Sequence, residues 1–173
     1  MSNIKMFVTH TPNRDTMTVD NKLLQNVIAG GDFQKQSVKP GFHLDNEGEN
    51  ISSKNKSYCE LTTQYWAWKN VDADYYGFCH YRRFFSFSKD EIKETPWGTI
   101  EYDYLDDAAM KELHFNEKEM QADIENYDFI IAKGIATSAM QAESVYDHYK
   151  NAAELHIKDL DLFMDIIEEK YPY

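Results

Sequence analysis

The sequence predicts an α/β domain, a mainly parallel sheet flanked by helices. Three observations lead there. Residues 4–8 and 75–81 are β-rich apolar runs that end in polar residues, and residues 127–132 repeat the pattern. Segments with helical spacing lie between and after them, so strands alternate with helices, as they do when helices make the crossovers of a parallel sheet. Finally, 173 residues with 42% hydrophobic and 14% aromatic side chains suffice for one core and exceed what a disordered acidic chain carries. A single domain over residues 1–173 follows.

Each element has a local reason. Residues 4–8, Ile-Lys-Met-Phe-Val, form the first strand, and Thr9-His10-Thr11-Pro12-Asn13 is the loop after it. Residues 20–29 place Leu23, Leu24, Val27 and Ile28 at helical spacing between an N-cap type, Asp20, and a stop, Gly30-Gly31, which predicts a short helix. Residues 32–57 are polar and without period, so a long functional or disordered loop is expected. Over residues 57–69, Tyr58, Leu61, Tyr65 and Trp68 make one stripe, and Ser57 with Glu60 has capping-box spacing, which predicts a helix buried along that stripe. The strand at 75–81 then leads into Arg82-Arg83. Residues 86–116, around Pro96-Trp97-Gly98, read as an insertion or lid with a helix near 105–113. Helices are expected at 116–125, 142–155 and 160–170, the last with Leu160, Phe163, Ile166 and Ile167 on one face. Trp68 reads as core, while Trp66 and Trp97 could stack on a sugar, core packing being the favoured reading for Trp66.

The charge is −12 and unevenly placed. Residues 1–100 hold 12 acidic and 12 basic side chains, so the whole excess lies in residues 101–173, which hold 18 acidic and 6 basic ones. Such a chain gains little from phosphate counterion release and is repelled by anionic lipid, which argues against nucleic acid polymers and direct membrane adhesion. The N-terminal apolar run is too short for a signal peptide and no run is long enough for a membrane helix, so a cytoplasmic protein is expected, peripheral to a membrane only through partners. Cys59 and Cys79 lack metal-type spacing and read as reduced, buried thiols.

In an open α/β sheet, ligands bind beyond the C-terminal ends of the strands. The polar residues at those ends are Thr9 and His10, then His80, Arg82 and Arg83, then Lys133. Guanidinium forks match paired phosphate oxygens and keep their charge, so a nucleoside diphosphate is the natural ligand; the alternative is that both arginines pair with the abundant carboxylates. Asp72-Ala73-Asp74 has a pattern used to hold Mg²⁺ or Mn²⁺ on a diphosphate, but it precedes its strand instead of following it, so a turn with a strand-entry carboxylate is the favoured reading and no metal or other cofactor is expected. Glu101, Asp103, Asp106 and Asp107 could supply a base, or form a solvated face. No phosphate-binding Gly-rich loop, zinc-protease motif or nucleophile elbow is present.

The stretch Asn50-Ile51-Ser52-Ser53-Lys54-Asn55, then Tyr58-Cys59-Glu60-Leu61-Thr62, Tyr65-Trp66-Ala67-Trp68-Lys69-Asn70 and Tyr76-Gly77-Phe78-Cys79-His80-Tyr81-Arg82-Arg83, resembles a bacterial family of domains of formally unknown function. That family occurs among capsular polysaccharide and exopolysaccharide biosynthesis proteins and is regarded as glycosyltransferase-like, with some members assigned as galactofuranosyltransferases. The resemblance spans nearly the whole chain. It implies a GT-A-like, Rossmann-related fold and transfer of a sugar from a nucleotide donor, a UDP-sugar, to a polysaccharide or lipid-linked glycan acceptor. Within it, His80, Arg82 and Arg83 would neutralise the donor diphosphate as it leaves, and Thr9, His10, Lys54, Asn55, Tyr58 and Glu60 would bind the donor nucleotide. Members of the family usually continue for some tens of residues more, so this chain is expected to be C-terminally truncated against them. The competing expectation is a non-catalytic binding or partner module that keeps the nucleotide-sugar fold.

Overall fold

The computed structural model describes residues 2–172. They divide into two compact units, one made of the residues up to Asp90 with Tyr102–Ile131, the other of Glu91–Glu101 with the residues from Ala132 onward.

The first unit holds a wholly parallel sheet of four strands, β1 (Ile4–His10), β2 (Leu24–Ile28), β3 (Phe42–Leu44) and β4 (Tyr75–His80), in the order β3-β2-β1-β4. This is the expected α/β class. Strand β1 is paired along both edges and almost entirely buried, which is why its sequence is a near-continuous apolar run. Its register with β4 sets Met6 opposite Gly77, Phe7 opposite Phe78 and Thr9 opposite His80. A Cβ on Gly77 would lie 2.8 Å from the Met6 side chain, so the missing side chain makes room for a large neighbour. Phe7 stacks on Phe78 at 5.6 Å and meets Trp66 edge-on at 6.1 Å. With Val27 and Ala67 these rings form the core between the sheet and helix α2 (Leu61–Asn70).

Several sequence expectations are corrected here. Residues 20–29 contain β2, not a helix: Leu24, Val27 and Ile28 have helical spacing, but a parallel strand buried on both faces needs no alternation, and pairing with β1 and β3 decides. The long polar segment 32–57 contains β3, a 3-10 turn at Ser52–Lys54 and helix α1 (Asn55–Tyr58). The helix expected at 57–69 is broken at Cys59, whose φ of 47° lies in the left-handed region, so α1 and α2 are separate and no capping box forms. Helix α2 also buries the other face. Thr62, Thr63, Trp66 and Ala67 point into the protein, while Trp68, expected in the core, is 66% exposed. Residues 127–132 form no strand: the run pairs with none of the four strands of the sheet, and Phe129 and Ile131 are 83% and 78% exposed. Cys79 is buried, which pushes its thiol up to about 12, but Cys59 is exposed.

Helices α3 (Asp107–Glu112) and α4 (Glu117–Ile124) fall where expected, capped by the Asp106 and Asn116 side chains. Leu113, Phe115 and Met120 are buried with Phe87, and the Asn21 amide donates to Met120 Sδ at 3.2 Å. In the second unit, Ser144 caps α5 (Val145–Asn151), α6 (Ile157–Lys170) follows, and Lys133 pairs with Glu94. Lys133 therefore stands at no strand end. The apolar face expected on the last helix exists, but none of its side chains is buried.

A buried carboxylate joins the ends of β2 and β3 to the helices. Asp45, fully buried just after β3, accepts from Gly30 N at 2.8 Å, Gly31 N at 2.7 Å, and the Ser52 and Thr62 hydroxyls at 2.5 Å each. Four donors replace the water that the charge has lost. Gly30 fits this turn because its φ is +72° and a Cβ there would sit 2.8 Å from the Asn55 side chain. An Asp45→Asn substitution turns one acceptor into a donor facing donors. It should lower the unfolding free energy by about 3 kcal/mol in urea denaturation, and a loss below about 1 kcal/mol would contradict this role.

Candidate functional site

Strands β1 and β4 end side by side because their register pairs Thr9 with His80. The chain then turns tightly: His80 N donates to Arg83 O at 3.1 Å, and Arg83 N donates back to His80 O at 2.9 Å. This turn buries Tyr81 and projects Arg82 and Arg83 outward. The Tyr81 ring stacks on His10 at 5.9 Å and lies 4.2 Å from His80, and the Arg82 guanidinium sits 5.2 Å from it. Among the described residues, neither arginine forms an ion pair. Two adjacent, exposed guanidiniums without carboxylate partners, in an acidic chain, hold unspent hydrogen-bonding capacity for an anion.

The two histidines differ in kind. His10 is 1% exposed; its Nε2 donates to Asn26 Oδ1 at 2.9 Å and its Nδ1 accepts from the Thr16 hydroxyl at 2.6 Å. Burial holds its pKa below the ordinary value, against the Asn26 hydrogen bond, with His80 and Lys39 adding a smaller push downward. It is a neutral ring that fastens the end of β1 to β2 and to the loop that follows β1. His80 is half-buried, and its Nδ1 accepts from Arg82 N at 3.3 Å, which leaves Nε2 as the ring nitrogen available to a ligand. Burial, then Arg82, lowers its pKa, Glu60 opposes, and Arg83 adds to the lowering.

The remaining sequence-selected residues form a second group on the segment that Asp45 anchors. Lys54 is exposed, with Nζ 6.0 Å from the Tyr58 ring. The Asn55 amide donates to Cys59 O at 2.9 Å and Thr62 Oγ1 at 3.2 Å, so it braces the break between α1 and α2. Tyr58 is exposed beside that break. Glu60, also exposed, precedes α2 and connects the groups through its field on His80. Asp72 and Asp74 lie at the opposite end of β4, where Asp74 Oδ2 accepts from Asn3 N at 2.7 Å, the strand-entry position expected.

Sequence reasoning missed Asp45, Asn26, Thr16 and Tyr81. Asp45 sits in a polar stretch where nothing separates a buried carboxylate from a solvated one. Tyr81 carried a signal, since it stands between a strand-end histidine and an arginine pair.

The neutral burial of His10 has a pH consequence. Its unfolded form protonates at the ordinary value of 6.5 while the folded form resists, so the unfolded state binds more protons below that pH and stability falls as the solution is acidified. Part of the stability lost from about pH 7 to about pH 5 should vanish in His10→Gln, measured by thermal unfolding; an unchanged pH profile would contradict this.

No sequence among the curated proteins matches the chain. A solved structure described as WbbM bifunctional glycosyltransferase, without ligand, superposes with a TM-score of 0.89 at 32% identity, covering 98% of this chain and 30% of that one. The chain thus spans about 30% of the length of the protein it resembles, and the likeness supports a glycosyltransferase-like family. Residues 5–173 match the family described as domain of unknown function (DUF4422), and the chain belongs to that family.

Proposed function

We propose that this chain is the donor-binding domain of a glycosyltransferase that takes a sugar from a nucleoside diphosphate carrier and passes it to a capsular polysaccharide, exopolysaccharide or lipid-linked glycan. The unpaired Arg82 and Arg83 at the C-terminal end of a parallel strand carry the reading. Uridine diphosphate is the proposed carrier and galactofuranose the proposed sugar. The likeness to a bifunctional glycosyltransferase supports a sugar donor and acceptor in general; the diphosphate follows from the chemistry of the arginine pair, and the uridine carrier, galactofuranose and the polysaccharide acceptor rest on the resemblance of the sequence to the polysaccharide-biosynthesis family.

In transfer, the acceptor hydroxyl oxygen bonds to the anomeric carbon as that carbon's bond to the diphosphate oxygen breaks. The hydroxyl proton passes to a base, and the bonding pair leaves on the nucleoside diphosphate. Arg82 and Arg83 would take up the charge that develops on that oxygen. His80 adds a proton-bearing Nε2 beside them. Thr9 lies at the floor of the site, and His10 holds it rigid from behind. Lys54, Asn55, Tyr58 and Glu60 would border the nucleoside, with Asn55 acting through the Gly30 turn. We propose a transfer without divalent metal, its charge role filled by the two guanidiniums.

Three outcomes test this reading. Calorimetric titration with UDP-galactofuranose and UDP-galactose should show binding that EDTA leaves unchanged; loss of binding with EDTA would refute the metal-free proposal. Arg82→Ala and Arg83→Ala should each weaken binding roughly tenfold or more, and unchanged affinity would remove both from the site. A bound diphosphate favours protonated His80, so UDP-sugar affinity should rise as pH falls from about 7.5 to about 6, and His80→Ala should flatten that slope. Binding without transfer to any glycan acceptor would identify a binding module instead of an enzyme.

A further inference from the structure

The outward stripe of α2 is aromatic and exposed: Leu61 and Trp68 are 52% and 66% exposed, with Tyr58 at 46% before them. Leu61, Tyr65 and Trp68 on α2, with Tyr58 before it and Tyr76 and Phe78 on β4, line an open groove of about 550 Å³. That volume lies within the range of ligand clefts, about 300–1,000 Å³. We propose that this groove binds the acceptor glycan, an inference that rests on the transferase reading above and extends it to the second substrate.

Three features select a neutral polyhydroxyl chain. First, rings dominate the lining, and only Ile51 and Leu61 are aliphatic. Flat ring faces match the C–H faces of a sugar, whereas a docked protein helix is gripped by branched aliphatic knobs. Tyr65 and Trp68 stand at 84° to one another with centroids 5.7 Å apart, giving two differently oriented walls.

Second, the lining carries no formal charge, which suits neither phosphate nor an acidic peptide. The charges at the rim neutralise each other: Lys69 Nζ is 3.4 Å from Glu49 Oε1 and 3.9 Å from the Trp68 ring centroid, and the Tyr65 hydroxyl donates to Glu49 at 2.8 Å. The Gln64 amide lies in the groove with no hydrogen-bond partner among the described residues, which leaves a donor and an acceptor for sugar hydroxyls.

Third, the groove leads to the donor end. Alternation along β4 places Tyr76, Phe78 and His80 on one face, so the strand wall of the groove ends on His80. On the helix side, Leu61 follows Glu60, whose charge bears on His80. A glycan lying along α2 would present its terminal hydroxyl to the side of the turn that carries Arg82 and Arg83.

The test is saturation-transfer NMR with three neutral probes, a galacto-oligosaccharide mixture, cellohexaose and maltohexaose, alongside UDP-galactose titration of the same samples. At least one probe should bind with a Kd on the order of 1 mM, and Trp68→Ala should weaken it roughly tenfold while UDP-galactose affinity stays unchanged. Trp68 is exposed, so the variant keeps its core. The Arg82→Ala, Arg83→Ala double variant should lose UDP-galactose but retain the oligosaccharide, so failure of the donor reading is seen separately. Absence of transfer to all three probes would overturn the proposal. So would affinity indifferent to Trp68→Ala, or a dimer in sedimentation that Trp68→Ala dissociates.

Discussion

The geometry of the site depends on one register, Met6 against Gly77 and Phe7 against Phe78. Slipping β4 by one residue would drive a side chain into the space that Gly77 leaves for Met6 and would turn Phe78 away from Phe7 and Trp66. Because both contacts fail together, the pairing is strongly specified. Thr9 then comes opposite His80, and the turn that follows projects the two guanidiniums from the same edge. The core and the placement of the arginine pair are thus consequences of one alignment.

A second constraint secures the other half of that edge. Asp45 is a carboxylate out of water, and its four donors come from the turn after β2, the 3-10 turn before α1, and α2. Those bonds explain why α2 turns Thr62 inward and its aromatic stripe outward. The face that periodicity marked as core became a surface because Trp66 and Ala67 pack on Phe7 and Val27 from the other face, where Thr62 also reaches Asp45. The same choice creates the groove whose strand wall ends on His80.

The parts legible in the sequence were those with one physical solution. Strands β1 and β4 were readable because each is an apolar β-branched or aromatic run closed by polar residues. Helices α3 and α4 were readable as segments near 105–113 and 116–125, and the structure adds their caps, Asp106 and Asn116. Strand β2 was not, since its apolar residues have helical spacing and only its neighbours, which bury it on both faces, make it a strand. Strand β3 has three residues in a polar segment, too few to show a pattern. The candidate site was visible as two adjacent arginines after a strand, and the structure places both, exposed, at the end of β4. That His10 would be sealed behind them, with both ring nitrogens occupied, depends on Asn26 and Thr16 approaching from other segments, which no local pattern reveals.

The sequence contains only three arginines, Arg14, Arg82 and Arg83, so the guanidinium Nε–H region of an NMR spectrum can be assigned by substitution. Titrating UDP-galactose into the labelled protein reads the central claim, that a diphosphate sits on the turn after β4. The Arg82 and Arg83 signals should move together and saturate at one common affinity while Arg14 stays in place. Saturable binding that leaves both unmoved would contradict the account.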